Sequence, residues 1–412
     1  MRPLSLVVVA AGFLTLLGVW DGSSAVGVAV RLALLAVACW WLARDRGAAH
    51  FATSALVAGV ALALLAAGGI RSAHPVAAVG AGLFLVASVM AWWRRRGLPA
   101  KRRSRWRRAL VAVPLVLLVG PPVVTETFVL ATDGPTAPLP VGLAGSFIQT
   151  GNVKTHYEQW GTTGSPLVLL HGFLESTYVW SKAAPLLAGD HRVFAYDTRG
   201  FGFTQRTGPF TLDGDVAQLG DFIDALHLDA QPVLIGHSSG AAIITAFARL
   251  HPDRVAGIVL VDGDATPYGA GPGWAHAIIG EPLFTAGLRA ALGSDAVIRA
   301  VLQRQCGPDC AIEPERWRAP LRQEDAEDAL LRIVRRPLIG LEPAQVAEVR
   351  VPAAVMSGEL DNTMGPSSVS ATAALLHTDL TAVLIGEQHL PMLNSPGTFV
   401  SSLTGLLARL PS

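Results

Sequence analysis

Gly236-His237-Ser238-Ser239-Gly240 joins two stretches of opposite character. Before it, 233–235 is a short apolar run that reads as a buried strand; after it, 240–250 carries apolar residues at helical spacing. A chain that passes from strand to helix in so few residues must turn sharply. Glycines at both ends permit the turn and let the helix approach the strand, and the serine between them is pushed out at the strand's end. In a chain with 42 glycines the spacing alone means little. The strand before it and the helix after it make Ser238 a candidate nucleophile.

The flanking sequence alternates in the same way. Apolar β-rich runs at 146–150, 153–160, 167–171, 192–196, 233–235, 255–261, 353–357 and 380–385 read as strands. Helical patterns occupy 178–187, 212–226, 240–250, 367–376 and 396–410. The first two strands read as a hairpin turning at Gly151-Asn152; after them the alternation predicts a mostly parallel sheet wrapped by helices. There is no internal repeat in this part of the chain.

A serine hydroxyl is a poor nucleophile without a base. His389 follows the last strand and precedes the last helix, so its loop ends at the same sheet edge as Ser238. Eleven histidines are present, so position rather than residue type singles it out. The base needs an acid to fix its tautomer and to stabilise imidazolium. Asp361, in Gly358-Glu359-Leu360-Asp361, follows the preceding strand. Glu359, Asp262 and Asp264 remain rival acids, and Asp361 is equally placed to cap a helix. In His171-Gly172-Phe173 the glycine permits a tight turn after the third strand. The amides of Phe173 and Ser239 are then candidates for an oxyanion hole, against the plain alternative of a strand-ending turn. Asp197-Thr198-Arg199-Gly200-Phe201-Gly202 reads as structural, its glycines turning the chain and Asp197 and Arg199 bracing it.

Taken in order, the H-G-F turn, the D-x-R-G-x-G turn, the G-x-S-x-G elbow, G-x-x-D and the late histidine resemble the α/β-hydrolase superfamily, in its lidded branch with a serine nucleophile. The resemblance runs over about 146–410. It implies an α/β fold with a mostly parallel eight-stranded sheet and a helical lid, and a triad of Ser238, Asp361 and His389. His171-Gly-Phe-Leu-Glu-Ser176 is similar to epoxide hydrolases and haloalkane dehalogenases. Those relatives use aspartate where this chain has Ser238, a departure that points away from both activities and toward acyl transfer. The implied reaction forms an acyl-enzyme and hydrolyses it with water activated by His389. No cofactor is implied.

Residues 264–347 break the alternation and read as helices, at 274–292, 295–305 and 324–335, forming an inserted lid. Its apolar residues Ile278, Ile279, Leu283, Phe284 and Leu288 serve ordinary packing or, where they face a cleft, an apolar substrate. Cys306 and Cys310 lie within it, and outside the cytoplasm such a pair is expected to form a disulfide. Metal binding would need further ligands, and none cluster nearby in the sequence.

The first third differs from the rest. Fourteen Lys and Arg against four Asp and Glu in 1–145 make it basic, while the remainder is acidic, and the two nearly cancel to a net charge of +1. The basic residues separate five apolar runs, at 4–20, 26–43, 51–70, 75–93 and 109–131. Each is near the ~20 residues a helix needs to cross a bilayer, so the expectation is five transmembrane helices in 1–131, with the bilayer rather than nucleic acid as partner. A Pro-rich linker follows at 132–145, and the hydrolase-like domain spans 146–412. The links at 44–46 and 94–108 hold most of the arginines, which predicts a cytoplasmic N-terminus and an extracytoplasmic catalytic domain. Charged residues make up 15% of the chain and hydrophobic ones 51%, which excludes a disordered chain.

Two function classes remain at this point. One is a membrane-anchored serine hydrolase acting on a small-molecule or lipid-like ester, with peptidase, thioesterase and C–C bond hydrolase as variants of the same fold. The other is a membrane protein whose helices do the work, with the hydrolase-like domain as a sensor.

Overall fold

Leu167, Val168, Leu169 and Leu170 are each at most 1% exposed. A strand with no solvent-facing side must be covered on both faces, as in a parallel sheet between helices. The computed structural model, which describes residues 137–267, 282–334, 340–363 and 366–410, has this arrangement. The strands are β1 (Ser146–Thr150), β2 (Val153–Trp160), β3 (Ser165–Leu170), β4 (His191–Tyr196), β5 (Val233–His237), β6 (Gly257–Val261), β7 (Ala353–Gly358) and β8 (Thr381–Leu384). They form one eight-stranded sheet in the order β1-β2-β4-β3-β5-β6-β7-β8. The β1–β2 and β2–β4 pairs are antiparallel, and every pair from β4 to β8 is parallel.

Alternate residues of one strand feed two cores. Leu167 and Leu169 pack with Trp180, Val259, Met356 and Phe399 on one face, while Val168 and Leu170 pack with Phe222, Phe247, Leu260 and Val355 on the other. The layers are completed by α1 (Leu212–Leu226), α2 (Ser239–Leu250), α3 (Asp295–Cys306), α4 (Pro366–Leu375) and α5 (Pro396–Leu407).

The helix expected over 178–187 is instead a 3₁₀ turn, Thr177–Trp180, followed by a short helix, Ala184–Leu187. Pro185 is the reason. It has no N–H to continue a ladder from upstream, but it is tolerated in the first turn of a new helix.

The segment between β6 and β7 is an excursion that returns to its starting point, because the Leu341 N–H bonds the Ala265 carbonyl at 2.8 Å. Within it α3 inserts Ile298, Leu302 and Cys306 into the core beside Trp180 and Phe399. The helix expected over 324–335 runs Ala326–Val334. A short helix at Pro314–Arg318 and a 3₁₀ turn at Ala319–Arg322 were not expected from the sequence. Cys306 and Cys310 are joined as a disulfide, with Cα atoms 5.7 Å apart. The sheet and these elements belong to one compact unit, Thr136–Pro272 with Leu292–Ser412. Helix Pro282–Gly293 falls largely outside that unit; the earlier part of the helix expected over 274–292 lies outside the described residues. So do the five apolar runs of 1–131. Among the described residues no helix is long and apolar enough to cross a membrane.

An acidic residue sits inside the fold away from any catalytic candidate. Thr211 caps α1 through its hydroxyl, and the first turn carries Asp215 inward to 7% exposure. Asp215 Oδ1, Tyr196 Oη and Arg199 Nε are buried and without hydrogen-bond partners among the described residues. Burial pushes the Asp215 carboxyl up to about 8, with the Arg199 guanidinium offsetting this only in part. Such an acid holds its proton in the folded chain and releases it near pH 4 in the unfolded one. Its contribution to stability is therefore complete below about pH 4 and is lost as pH rises toward about 8. The slope is on the order of 1 kcal/mol per pH unit. Asp215→Asn should flatten this slope, so that its thermal unfolding temperature relative to wild type rises from pH 4 to pH 8. An unchanged slope in melts of the variant would assign the pH dependence elsewhere.

Candidate active site

Ser238 adopts φ 50° and ψ −119°, a left-handed conformation. In a residue with a Cβ this costs roughly 1–3 kcal/mol and persists only where the surroundings enforce it. Here they do. The Ser238 N–H bonds the Val261 carbonyl of β6 at 2.9 Å, and the Ala241 N–H bonds the Ser238 carbonyl at 3.0 Å. The flanking glycines are required by close approach. A Cβ on Gly236 would lie 2.5 Å from the Gly240 carbonyl oxygen, and one on Gly240 would lie 2.8 Å from the His171 carbonyl oxygen. The half-buried serine therefore stands between the end of β5 and the first turn of α2, where free amides favour developing negative charge.

Asp361 and His389 meet. His389 Nδ1 and Asp361 Oδ2 are 2.9 Å apart, with both residues buried. The carboxylate accepts from Nδ1–H, which leaves Nε2 free to act as a base. Burial raises the Asp361 carboxyl, but the hydrogen bond to His389 and its charge outweigh this, and the carboxyl sits below its usual range. The rival acids are engaged elsewhere. Glu359 Oε2 accepts the Gly386 N–H at 3.0 Å, and Asp264 Oδ1 accepts the Thr266 N–H at 2.9 Å.

Asp262 is the closer rival. It is fully buried at the end of β6, and its Oδ1 accepts the Gly358 N–H at 2.8 Å. Burial pushes its carboxyl well above the usual range; the nearby His237 works against this and the Asp361 charge adds to it. Asp262, Asp361 and His389 each present a ligand atom within 4.8 Å of the others. Among the described residues these three could hold a cation. Asp361 and His389 are already paired with each other, however, and a protonated Asp262 is a poor ligand. The set reads better as a hydrogen-bonded histidine–carboxylate pair with a neutral carboxyl behind it.

Among the described residues Ser238 Oγ has no hydrogen-bond partner. The His389 loop nevertheless docks on the elbow. The His389 carbonyl accepts from His237 Nε2 at 2.8 Å, and the two rings lie 4.7 Å apart. Catalytic hydrogen bonds are often long before substrate binds, so this geometry is compatible with a serine–histidine relay.

The H-G-F turn presses on the same point. A Cβ on Gly172 would lie 2.8 Å from Ser238 Cβ, so only a residue without a side chain fits there. The amides of Phe173 and Ser239 make no hydrogen bond to the described residues, so both are available to an oxyanion. His171 anchors the turn: its Nε2 accepts from the Thr198 N–H at 3.0 Å, and its Nδ1 donates to the Gly172 carbonyl at 2.8 Å. Asp197 braces the next turn, with Oδ1 accepting the Thr177 N–H at 2.7 Å. Its Oδ2 accepts the Phe203 N–H at 2.7 Å and His156 Nδ1–H at 2.8 Å.

Two residues at the centre were not singled out in the sequence, Glu175 and His237. They are 62 positions apart and are hydrogen-bonded at 2.9 Å. No local pattern signals a contact at that separation. The only hint is an acidic residue inside a turn that otherwise becomes buried.

Residues 165–396, more than half of the chain, match the family model described as the alpha/beta hydrolase fold, and the chain belongs to that family. It is 35% identical over 119 residues to the 2-hydroxy-6-oxo-6-(2'-aminophenyl)hexa-2,4-dienoic acid hydrolase of Metapseudomonas resinovorans, covering 28% of this chain and 41% of that protein. It is 39% identical over 122 residues to epoxide hydrolase B of Mycobacterium tuberculosis, covering 29% of this chain and 32% of that one. The chain thus spans less than half the length of these curated relatives. Among solved structures it is similar in fold to a serine hydrolase involved in carbazole degradation. The TM-score is 0.53 at 23% identity, over 64% of this chain and 98% of that one.

The geometry around His389 yields a test of the acid. Asp361→Asn should cut turnover by about a thousandfold or more through loss of the correct tautomer, whereas Glu359→Gln should leave it within about twofold. Asp262→Asn, which keeps an uncharged group of the same shape, should cost about tenfold or less. A larger loss in Asp262→Asn than in Asp361→Asn would move the acid role to β6.

Proposed function

We propose that this protein is a membrane-anchored serine hydrolase that cleaves an ester through an acyl-enzyme. The observation that carries this reading is the buried Asp361–His389 pair at 2.9 Å, docked against the strained turn that presents Ser238. As Ser238 Oγ attacks the substrate carbonyl carbon, His389 Nε2 takes its proton. The carbonyl oxygen gains negative charge and is held by the Phe173 and Ser239 amides; each such donor is worth about 3 kcal/mol. Collapse of this intermediate breaks the bond to the leaving alcohol, which receives the proton from His389. Water then attacks the acyl-serine, giving a proton to His389 and releasing the acid, and Ser238 recovers its proton.

Residues 1–131 serve as the anchor and place the catalytic domain on the extracytoplasmic side. The arginine-rich links and the Cys306–Cys310 disulfide support that orientation. A lipid-like acyl substrate suits an enzyme held at a bilayer. A second reading, hydrolysis of a C–C bond next to a carbonyl, is favoured by the similarity to the dienoic acid hydrolase. It uses the same residues, with a carbon leaving group.

A fluorophosphonate probe should label the wild-type chain and leave Ser238→Ala unlabelled; folded wild type that resists the probe would favour the sensor reading. A panel of p-nitrophenyl esters of rising chain length should be turned over, and activity confined to a vinylogous diketone would favour C–C cleavage. A protease added to intact cells should clip the C-terminal domain, and full protection would reverse the orientation.

A further inference from the structure

Glu175 and His237 have no part in the reaction as written, yet they lie between its components. Glu175 Oε2 accepts the Gly172 N–H at 2.6 Å, within the turn that carries Phe173. The same oxygen is 2.9 Å from His237 Nδ1, and His237 immediately precedes Ser238. His237 Nε2 is 2.8 Å from the carbonyl oxygen of His389. Three segments far apart in sequence are thereby linked by one carboxylate and one imidazole. Both groups are buried, His237 completely.

The protonation of this link follows from its partners. A carbonyl oxygen only accepts, so Nε2 must carry hydrogen. Glu175 Oε2 already accepts one N–H, and a carboxylate that accepts twice is best matched by a second donor. His237 therefore carries hydrogen on both nitrogens and Glu175 carries none. Of the titratable groups that face the ring, Glu175 supplies the compensating charge. Glu175 approaches from the turn after β3, Asp262 from the end of β6, and His389 from the loop after β8. Burial opposes the charge on His237, but Glu175 more than compensates, and the imidazole is pushed up to about 9. The same pairing holds the Glu175 carboxyl below its usual range despite its burial.

We propose that Glu175 and His237 are positioning residues, an ion pair that clamps the oxyanion-binding turn and the general-base loop onto the nucleophile turn. The proposal rests on the serine-hydrolase reading and specifies how that site is held. Breaking a buried pair leaves an uncompensated group in the interior, so the clamp resists loosening. Its action is on the transition state. The Gly172 peptide sets the direction of the next amide, Phe173, and that amide matters only once the carbonyl oxygen has become charged.

The test uses the full-length chain in detergent micelles with a fluorophosphonate probe, comparing wild type, Ser238→Ala, Glu175→Gln and Glu175→Asp. Glu175→Gln keeps an oxygen for Gly172 and removes the charge. Its limiting inactivation rate should fall by about 10–100-fold, while the half-saturating probe concentration changes by about threefold or less. Glu175→Asp should recover part of the rate. Spectra of ring-¹⁵N histidine should show His237, assigned by its loss in His237→Gln, with both nitrogens protonated at pH 8, and this signature should vanish in Glu175→Gln. Labelling of Glu175→Gln at the wild-type rate would overturn the clamp while leaving the serine-hydrolase reading intact, as would a His237 ring with one bare nitrogen at pH 8. Absence of Ser238-dependent labelling in wild type would instead remove the reading itself, and the clamp with it. If Glu175→Gln does not fold, the wild-type ring spectrum decides alone.

Discussion

The backbone at Ser238 is strained, and the rest of the site is arranged around that strain. A left-handed serine survives only because β5, α2 and the His171 turn close on it from three sides with no room for another backbone path. The cost, roughly 1–3 kcal/mol, is small beside the burial in the two cores that flank β3, β5 and β6. The sheet is therefore more than a scaffold. Its packed interior supplies the energy that holds one residue in an unfavourable conformation, and that conformation lifts a hydroxyl to the edge where the loops after β7 and β8 end.

That edge also concentrates buried charge. Asp262, Asp361, His389, Glu175 and His237 converge there, and isolated charges so far from water would not stay ionised. The structure resolves the conflict by pairing. Asp361 is held ionised by His389, and Glu175 by His237, while Asp262 lacks an equivalent partner and is driven toward its neutral form. Two ionised carboxylates and one neutral carboxyl are thus produced from residue types with similar intrinsic acidity. Environment rather than residue type sets which of them is ionised.

What the sequence revealed follows from the range of the interactions. The strands were legible because burial on both faces leaves continuous apolar runs, and the elbow because its constraint is satisfied within five residues. His389 and Asp361 were legible because topology fixes where each loop emerges, although Glu359 and Asp262 could not be set aside until their hydrogen bonds were seen. The apolar pattern over 178–187 runs through two elements because Pro185 opens a new helix instead of continuing one. The short elements from Pro314 to Arg322 carry no clear period. Glu175 and His237 were invisible, since a hydrogen bond across 62 residues leaves no trace in the local pattern.

Substrate choice belongs to a different level of the structure. The excursion between β6 and β7 is tied at its base by Leu341 and Ala265 and shares the core through α3, so its attachment is part of the fold. Its far side is free to vary without disturbing the elbow, because the elbow's constraints come from the sheet. Arg206 shows how the two are joined: its guanidinium donates to the Gly202 and Thr204 carbonyls of the turn after β4, and to the Pro320 carbonyl of the excursion. Neutral carbonyls at both ends hold this strap, and burial draws the Arg206 guanidinium down to about 10, with the Asp197 and Asp325 charges opposing this. A contact of this kind fixes where Pro320 sits against the turn after β4 and leaves the chemistry of the neighbouring surface unspecified. Under the proposed reaction the same residues would serve ester or C–C substrates, and side chains outside the elbow would have to make the selection.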